Sequence, residues 1–271
     1  ASSGELAVGR LLRPESSSAL RFASGSVARP PLVCTMSVRL DRFQLSVVDS
    51  PQNASLCVAA CPGSGKSTTL ACRARKLLAD GVPPAQLIVL TFSTKSRDAL
   101  ARRLAEVGCP SSIAVSTHHA FALSLLREAK GWHERSGARV VEAREQRKLV
   151  SDAIVQCREE ATPLTVRRLL KEIATSKSTG AALHGLAHRV NLQYEAKLLH
   201  GGLIDFDDMT LLGTEAAEAA ARCGAPPRHT HVLLDEAQDT SARQLQLLLA
   251  AAPPGRVALT AVGDADQTIY S

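Results

Sequence analysis

The chain has 271 residues, is 45% hydrophobic, and carries a formal charge of +6 with an isoelectric point near 9.1. That length allows one or two domains around a sizeable core, and no apolar run is long enough to span a bilayer, so a membrane partner is not expected. The basic excess is mild and permits a polyanionic partner without requiring one; the seven cysteines are scattered with no C-x-x-C pair, which fits a reducing compartment.

Residues 1–36 are rich in Ser, Arg, Ala and Pro, with Arg10, Arg13, Arg21 and Arg29 against Glu5 and Glu15. Two readings stay open. One is an organelle transit peptide; the other is sequence upstream of a start at Met36. Either way the leader is expected to be disordered. An intracellular compartment is expected, nucleus or cytoplasm, or an organelle if the leader is a transit peptide.

From Leu40 the pattern sharpens. LCVAA (56–60) is a short apolar run, CPGSG (61–65) a glycine-bearing loop, and KSTTLACRARKLLA (66–79) has helical period. LIVLT (87–91) and IAVST (113–117) predict strands, each followed by a helical stretch, SRDALARRLAEV and AFALSLLREAK. Such alternation predicts a parallel sheet with helices on both faces. Between about 130 and 200 it stops. EAREQRKLVSDAIVQCREE, TPLTVRRLLKEIA and ALHGLAHRVNLQYEAKLL are all helical in period, Thr162-Pro163 predicts an N-cap and first helical position, and no strand is expected there. Strands return at HVLLDE (231–236) and RVALTAVGD (256–264), separated by the helix SARQLQLLLAA. The expected organisation is an α/β domain over 37–119 and 203–271, interrupted by an all-helical insertion over 120–202. The histidines include His118-His119 and the His229, His231 pair, with no Cys or acidic cluster beside them to complete a metal ligand set.

The loop Ala60, Cys61, Pro62, Gly63, Ser64, Gly65, Lys66, Ser67 lies between a strand and a helix. A tight glycine loop turns successive backbone N–H groups toward a phosphate, and the helix N-terminus adds its dipole. Lys66 can reach the β- and γ-phosphates, and the Ser67 hydroxyl can ligate Mg²⁺. The pattern departs from G-x-x-x-x-G-K-[ST] at its first position, Ala60. Asp235 and Glu236 stand where the strand HVLL ends, at the end of the sheet that the phosphate loop shares. There Asp235 would hold Mg²⁺ and Glu236 would activate the attacking water. A phosphate loop alone leaves kinase, GTPase, transporter and motor open.

Together these residues resemble the UvrD/Rep/PcrA group of superfamily 1 DNA helicases, with a RecA-like P-loop sheet and a helical subdomain. DEAQDTS resembles motif II, VGDADQTIYS motif III, LTFSTKSRDAL motif Ia, STHHAF the next single-strand-contacting motif, IDFDDMTLL the Asp-rich segment returning from the inserted domain, and LDRFQLSVV the glutamine motif. Order and rough spacing fit over residues 37–271. The resemblance implies ATP and Mg²⁺ as cofactors and single-stranded DNA as partner. Gln44 would read the adenine edge and Gln267 would sense the γ-phosphate. Phe92, Thr94, Thr117, His119 and Tyr270 would line the single-strand path. Thr94 stands where the group usually has Asn, His118 where it usually has an aromatic, and Cys61 in place of a common Gly.

The sequence stops inside the motif III resemblance. In the group a second RecA-like domain follows and supplies arginines to the ATP site. An ATP-dependent helicase, 3′-to-5′ as the group implies, is therefore the expected parent, with slow turnover expected of the chain alone. Two alternatives stand beside it: a stand-alone ATP- and DNA-binding regulatory module, and the motor part of a helicase–nuclease.

Overall fold

A computed structural model describes residues 7–10, 39–129 and 139–264. These residues divide into two compact units: one runs to Thr117 and adds Arg228–Asp239 and the stretch from Pro254, the other comprises His118–Pro227 and Thr240–Pro253.

The first unit is built on a sheet. Its strands are β1 (Ala7–Arg10), β2 (Leu56–Ala59), β3 (Leu87–Thr91), β4 (Ala114–Thr117), β7 (His231–Leu234) and β8 (Ala258–Gly263), in the order β1-β2-β8-β7-β3-β4. From β2 to β4 every neighbour is parallel. The α/β expectation holds, with five parallel strands. β3 and β7 are buried along their whole length, which is why both read as unbroken apolar runs instead of alternating ones. β1 differs from expectation: Ala7–Arg10, inside the leader, pairs antiparallel with β2, giving backbone partners to a strand that would otherwise be a sheet edge.

Among the described residues, three α-helices belong to this unit: α1 (Arg42–Val48), α2 (Lys66–Ala79) and α3 (Thr94–Glu106). Leu70, Ala74 and Leu77 of α2 are buried at helical spacing in a core with Leu56, Val58, Leu87, Val89, Leu233 and Val262. α3 starts where Ser93 Oγ accepts from the Ser96 N–H at 3.0 Å, the capping that polar residues supply at N-termini.

The second unit is mainly helical: α4 (His118–Glu128), α5 (Ala143–Gln156), α6 (Pro163–Thr179), α7 (Gly185–Gly201), α8 (Phe206–Arg222) and α9 (Ala242–Ala251). Val150, Ile154, Leu169, Ile173, Val190 and Leu198 form its core. Thr162 caps α6 as the sequence predicts, its hydroxyl accepting from Thr165 N at 3.2 Å with Pro163 first in the helix. The expectation of no strand in this region is corrected. β5 (Arg139–Val140) pairs parallel with β6 (Leu203–Ile204). Strands of two residues carry no periodicity that a sequence could show. α8 and α9 belong to the second compact unit; the insertion expected from the sequence spans 120–202. Among the described residues no helix is long and apolar enough to cross a membrane.

Candidate functional site

The sheet order decides what can meet at its C-terminal edge. β8 lies between β2 and β7, so Gly263-Asp264 emerges between the phosphate loop and the acid pair. Ala60 N–H donates to Gly263 O at 2.9 Å, extending the β2–β8 ladder into the loop.

Two glycines of the loop, Gly63 and Gly65, have left-handed backbones. Gly65, the N-cap of α2, has a φ of +80°, and a Cβ there would meet Gln44 Nε2 at 2.8 Å. A side chain is excluded both by the left-handed backbone and by that amide. Ser64 Oγ is buried and makes no hydrogen bond among the described residues. Lys66 Nζ donates to Ala60 O at 3.0 Å and lies 3.9 Å from Asp264 Oδ2. Its side chain is 9% exposed and folded back over its own loop.

The first turn of α2 meets the end of β7. Ser67 Oγ donates to Asp235 Oδ2 at 2.9 Å. Burial pushes the Asp235 pKa up; the Ser67 hydrogen bond pulls it down and the Glu236 charge adds to the rise. A nearly buried carboxylate beside a hydroxyl at the mouth of a glycine loop is a donor set for a hard, oxygen-seeking divalent cation. The residues therefore fit Mg²⁺ and a triphosphate.

Glu236 has a φ of 53°, in the left-handed region, where a side chain costs about 1–2 kcal/mol. Its carboxylate accepts from Gln238 Nε2 at 2.8 Å, while Gln238 Oε1 accepts from Asp264 N–H at 2.9 Å. One amide thus joins the acid pair to the end of β8. Gly263 lets it in: a Cβ there would stand 2.8 Å from Gln238 Oε1. Gln238 and Asp264 were visible in DEAQD and VGD, but their pairing required the strand order. Asp239, three residues beyond Glu236, has its pKa raised by desolvation and by Glu236.

Gln44 is the third residue of α1. Its side chain closes a capping box with Asp41 and donates from Nε2 to Ser64 O at 2.8 Å. The structure therefore brings Gln44, the loop 60–67, Asp235 and Glu236 to one edge of one unit. Gln267 and Tyr270 lie outside the described residues.

The residues expected on the single-strand path divide between the units. In the first, Phe92 follows β3 and is 37% exposed, Thr94 is exposed at the start of α3, and Thr117 is buried at the end of β4. In the second, His119 packs edge-on against Phe206, with ring centroids 5.3 Å apart, and burial lowers its pKa. Phe121 is a core residue at 3% exposure, and His118 is buried at 2%.

The Asp-rich segment is held by a charge network that the sequence did not disclose. Lys177 Nζ is 2.7 Å from Asp205, 2.7 Å from Asp208 and 2.7 Å from Glu195. Tyr194 OH donates to Asp205 Oδ2 at 2.9 Å. Burial pulls Lys177 down, but Asp205 and Asp208 outweigh it and hold the ammonium above its usual range. Burial, then the Asp205 charge, pushes Asp207 and Asp208 up to about 6 each.

A family model described as the UvrD/REP helicase N-terminal domain matches residues 40–271. The chain is 28% identical to the ATP-dependent DNA helicase PcrA of Leuconostoc citreum, over 87% of this chain and 34% of that protein. It is 31% identical to the ATP-dependent DNA helicase UvrD2 of Mycobacterium bovis, over 91% of this chain and 38% of that protein. It is 27% identical to the putative ATP-dependent DNA helicase YjcD of Bacillus subtilis, over 87% and 33%. The chain thus spans about a third of the length of these curated relatives.

Proposed function

The chain belongs to the UvrD/REP helicase N-terminal domain family, and from that premise we propose that it is the nucleotide-binding part of an ATP-dependent DNA helicase that travels on single-stranded DNA, with the 3′-to-5′ polarity its family resemblance implies. The observation that carries the reading is the 2.9 Å hydrogen bond between Ser67 and Asp235, residues 168 apart in sequence.

In this reading Ser67 and Asp235 hold Mg²⁺, which supplies neutralisation of charge on the β- and γ-phosphates. Lys66 exchanges its contact with Ala60 O for phosphate oxygens. The loop N–H groups bind the phosphates, and Ser64 Oγ gains an acceptor. Glu236, oriented by Gln238, takes a proton from the attacking water. Gln44 holds the adenine edge, and Gln267 senses the γ-phosphate. Phe92, Thr94, Thr117, His119 and Tyr270 line the strand, where stacking on aromatic rings is worth about 1–3 kcal/mol per base. The helical stretch over residues 120–202 is the insertion of a helicase motor.

An arginine finger contributes about 10³–10⁵ in rate in P-loop NTPases. In this family such arginines come from a second RecA-like domain, so we propose that this chain alone binds Mg-ATP and turns it over slowly. Phosphate release measured with and without single-stranded DNA tests the reading. Slow turnover is expected in both conditions; strong DNA-stimulated turnover by residues 37–271 alone would contradict it.

A further inference from the structure

α1 has seven residues, and a helix of two turns is marginal on its own. Its last turn carries no basic residue, yet its C-terminal carbonyls meet a cation from elsewhere. Arg73, two turns into α2, is 1% exposed. Its guanidinium donates from Nη1 to Val48 O at 3.0 Å and to Ser50 O, and from Nη2 to Pro51 O at 2.7 Å. A positive charge at that end also interacts favourably with the negative end of the helix dipole. At the other end of α1, Gln44 Oε1 accepts from Asp41 N–H at 2.9 Å and Nε2 donates to Ser64 O at 2.8 Å. α1 is thus held at one end by the phosphate loop and at the other by the helix that follows that loop.

We propose that Arg73 is a positioning residue for nucleotide recognition: by fixing the end of α1 it sets the reach of Gln44, and through Gln44 the base selectivity of the site. This rests on the reading of Gln44 and the loop 60–67 as a nucleotide site. The five donors of a guanidinium form a rigid planar fork, which suits carbonyls clustered at a helix end. Lysine keeps the charge and loses the fork. Arg73→Lys should therefore let α1 shift without dismantling the fold, because Val47 remains fully buried and His231 Nε2 still sits 3.1 Å from Gln52 O.

The test is displacement of a fluorescent ATP analogue from the full chain by ATP, GTP and inorganic tripolyphosphate, the last of which has no base. Loss of charge-assisted hydrogen bonds predicts that Arg73→Lys weakens ATP about tenfold, narrows its advantage over GTP, and leaves tripolyphosphate within about twofold. The Arg73→Lys, Gln44→Ala double variant should bind ATP no more weakly than Gln44→Ala alone, since the two act as one unit. Val47→Ala loosens α1 without touching the guanidinium and should show the same selective loss, which keeps the proposal testable if Arg73→Lys does not fold. Equal losses for all three ligands, additive losses in the double variant, or unchanged ATP affinity would each overturn the role of Arg73. Failure of both ATP and tripolyphosphate to displace the analogue from the unaltered chain would instead sink the nucleotide site itself.

Discussion

Ser67 donates its hydroxyl hydrogen to Asp235 across 2.9 Å, joining the first turn of α2 to the end of β7. The pair is the contact expected of two ligands of one cation. Ser67→Ala should therefore weaken ATP mainly when Mg²⁺ is present. One lost ligand is worth about 1–3 kcal/mol, roughly 5- to 150-fold. Titrating ATP with Mg²⁺ and with EDTA checks this: an equal effect in both would place Ser67 outside the metal shell.

Glu236 combines a proposed chemical role with a strained backbone. Glu236→Gln should keep nucleotide binding and slow turnover by about 10²–10⁴, the usual contribution of a general base. The strain makes a separate prediction. With a φ of 53°, Glu236→Gly should be more stable than Glu236→Ala by about 1 kcal/mol, because only glycine occupies that region without cost. Urea unfolding of the two variants measures the difference.

Burial disfavours the charged form of Asp235 and raises its pKa, so the folded state binds a proton more readily than the unfolded chain. The favourable contribution is present below the ordinary carboxylate pKa and is lost as pH rises through the folded value. Asp235→Asn should therefore stabilise the nucleotide-free protein at neutral pH, with the gain shrinking as pH falls toward the ordinary carboxylate range, while Mg-ATP binding is lost. A pH series of melting temperatures decides it. A gain that stays flat with pH would contradict the assignment.

Lys177 is one cation against three carboxylates, with its side chain 11% exposed and Asp205 at 1%. Lys177→Met should cost about 3–5 kcal/mol, because removing one member of a buried pair leaves its partners uncompensated. The loss should be smaller near pH 5, where Asp208, pushed up to about 6 by burial and then by the Asp205 charge, is mostly protonated and needs the ammonium less. Urea unfolding at pH 5 and pH 8 measures both quantities.

How much of this was legible depended on how local the signal is. The glycine loop, the acid pair after an apolar strand, the cap at Thr162 and the buried runs of β3 and β7 are written in neighbouring residues, so periodicity and spacing reveal them. β5 and β6 are too short to carry a period. Arg73 and Lys177 read as ordinary polar positions of amphipathic helices. Their burial is decided by carbonyls and carboxylates from distant segments, which composition cannot supply. Gln238 and Asp264 meet because β8 inserts between β2 and β7, a matter of strand order.

The central claim is that the loop at Lys66 and the acids at the end of β7 form one triphosphate site. Calorimetric titration of the chain with ATP in excess Mg²⁺ tests it most directly, alongside Lys66→Ala. The hydrogen bonds of the Lys66 side chain go to the backbone of its own loop and its approach to Asp264 is long, at 3.9 Å, so its removal should leave the fold intact by circular dichroism. The account predicts saturable one-to-one binding by the unaltered chain and a loss of about tenfold or more in the variant, the worth of a charge-assisted phosphate contact. Equal ATP affinity in the two proteins, with both folded, would contradict it.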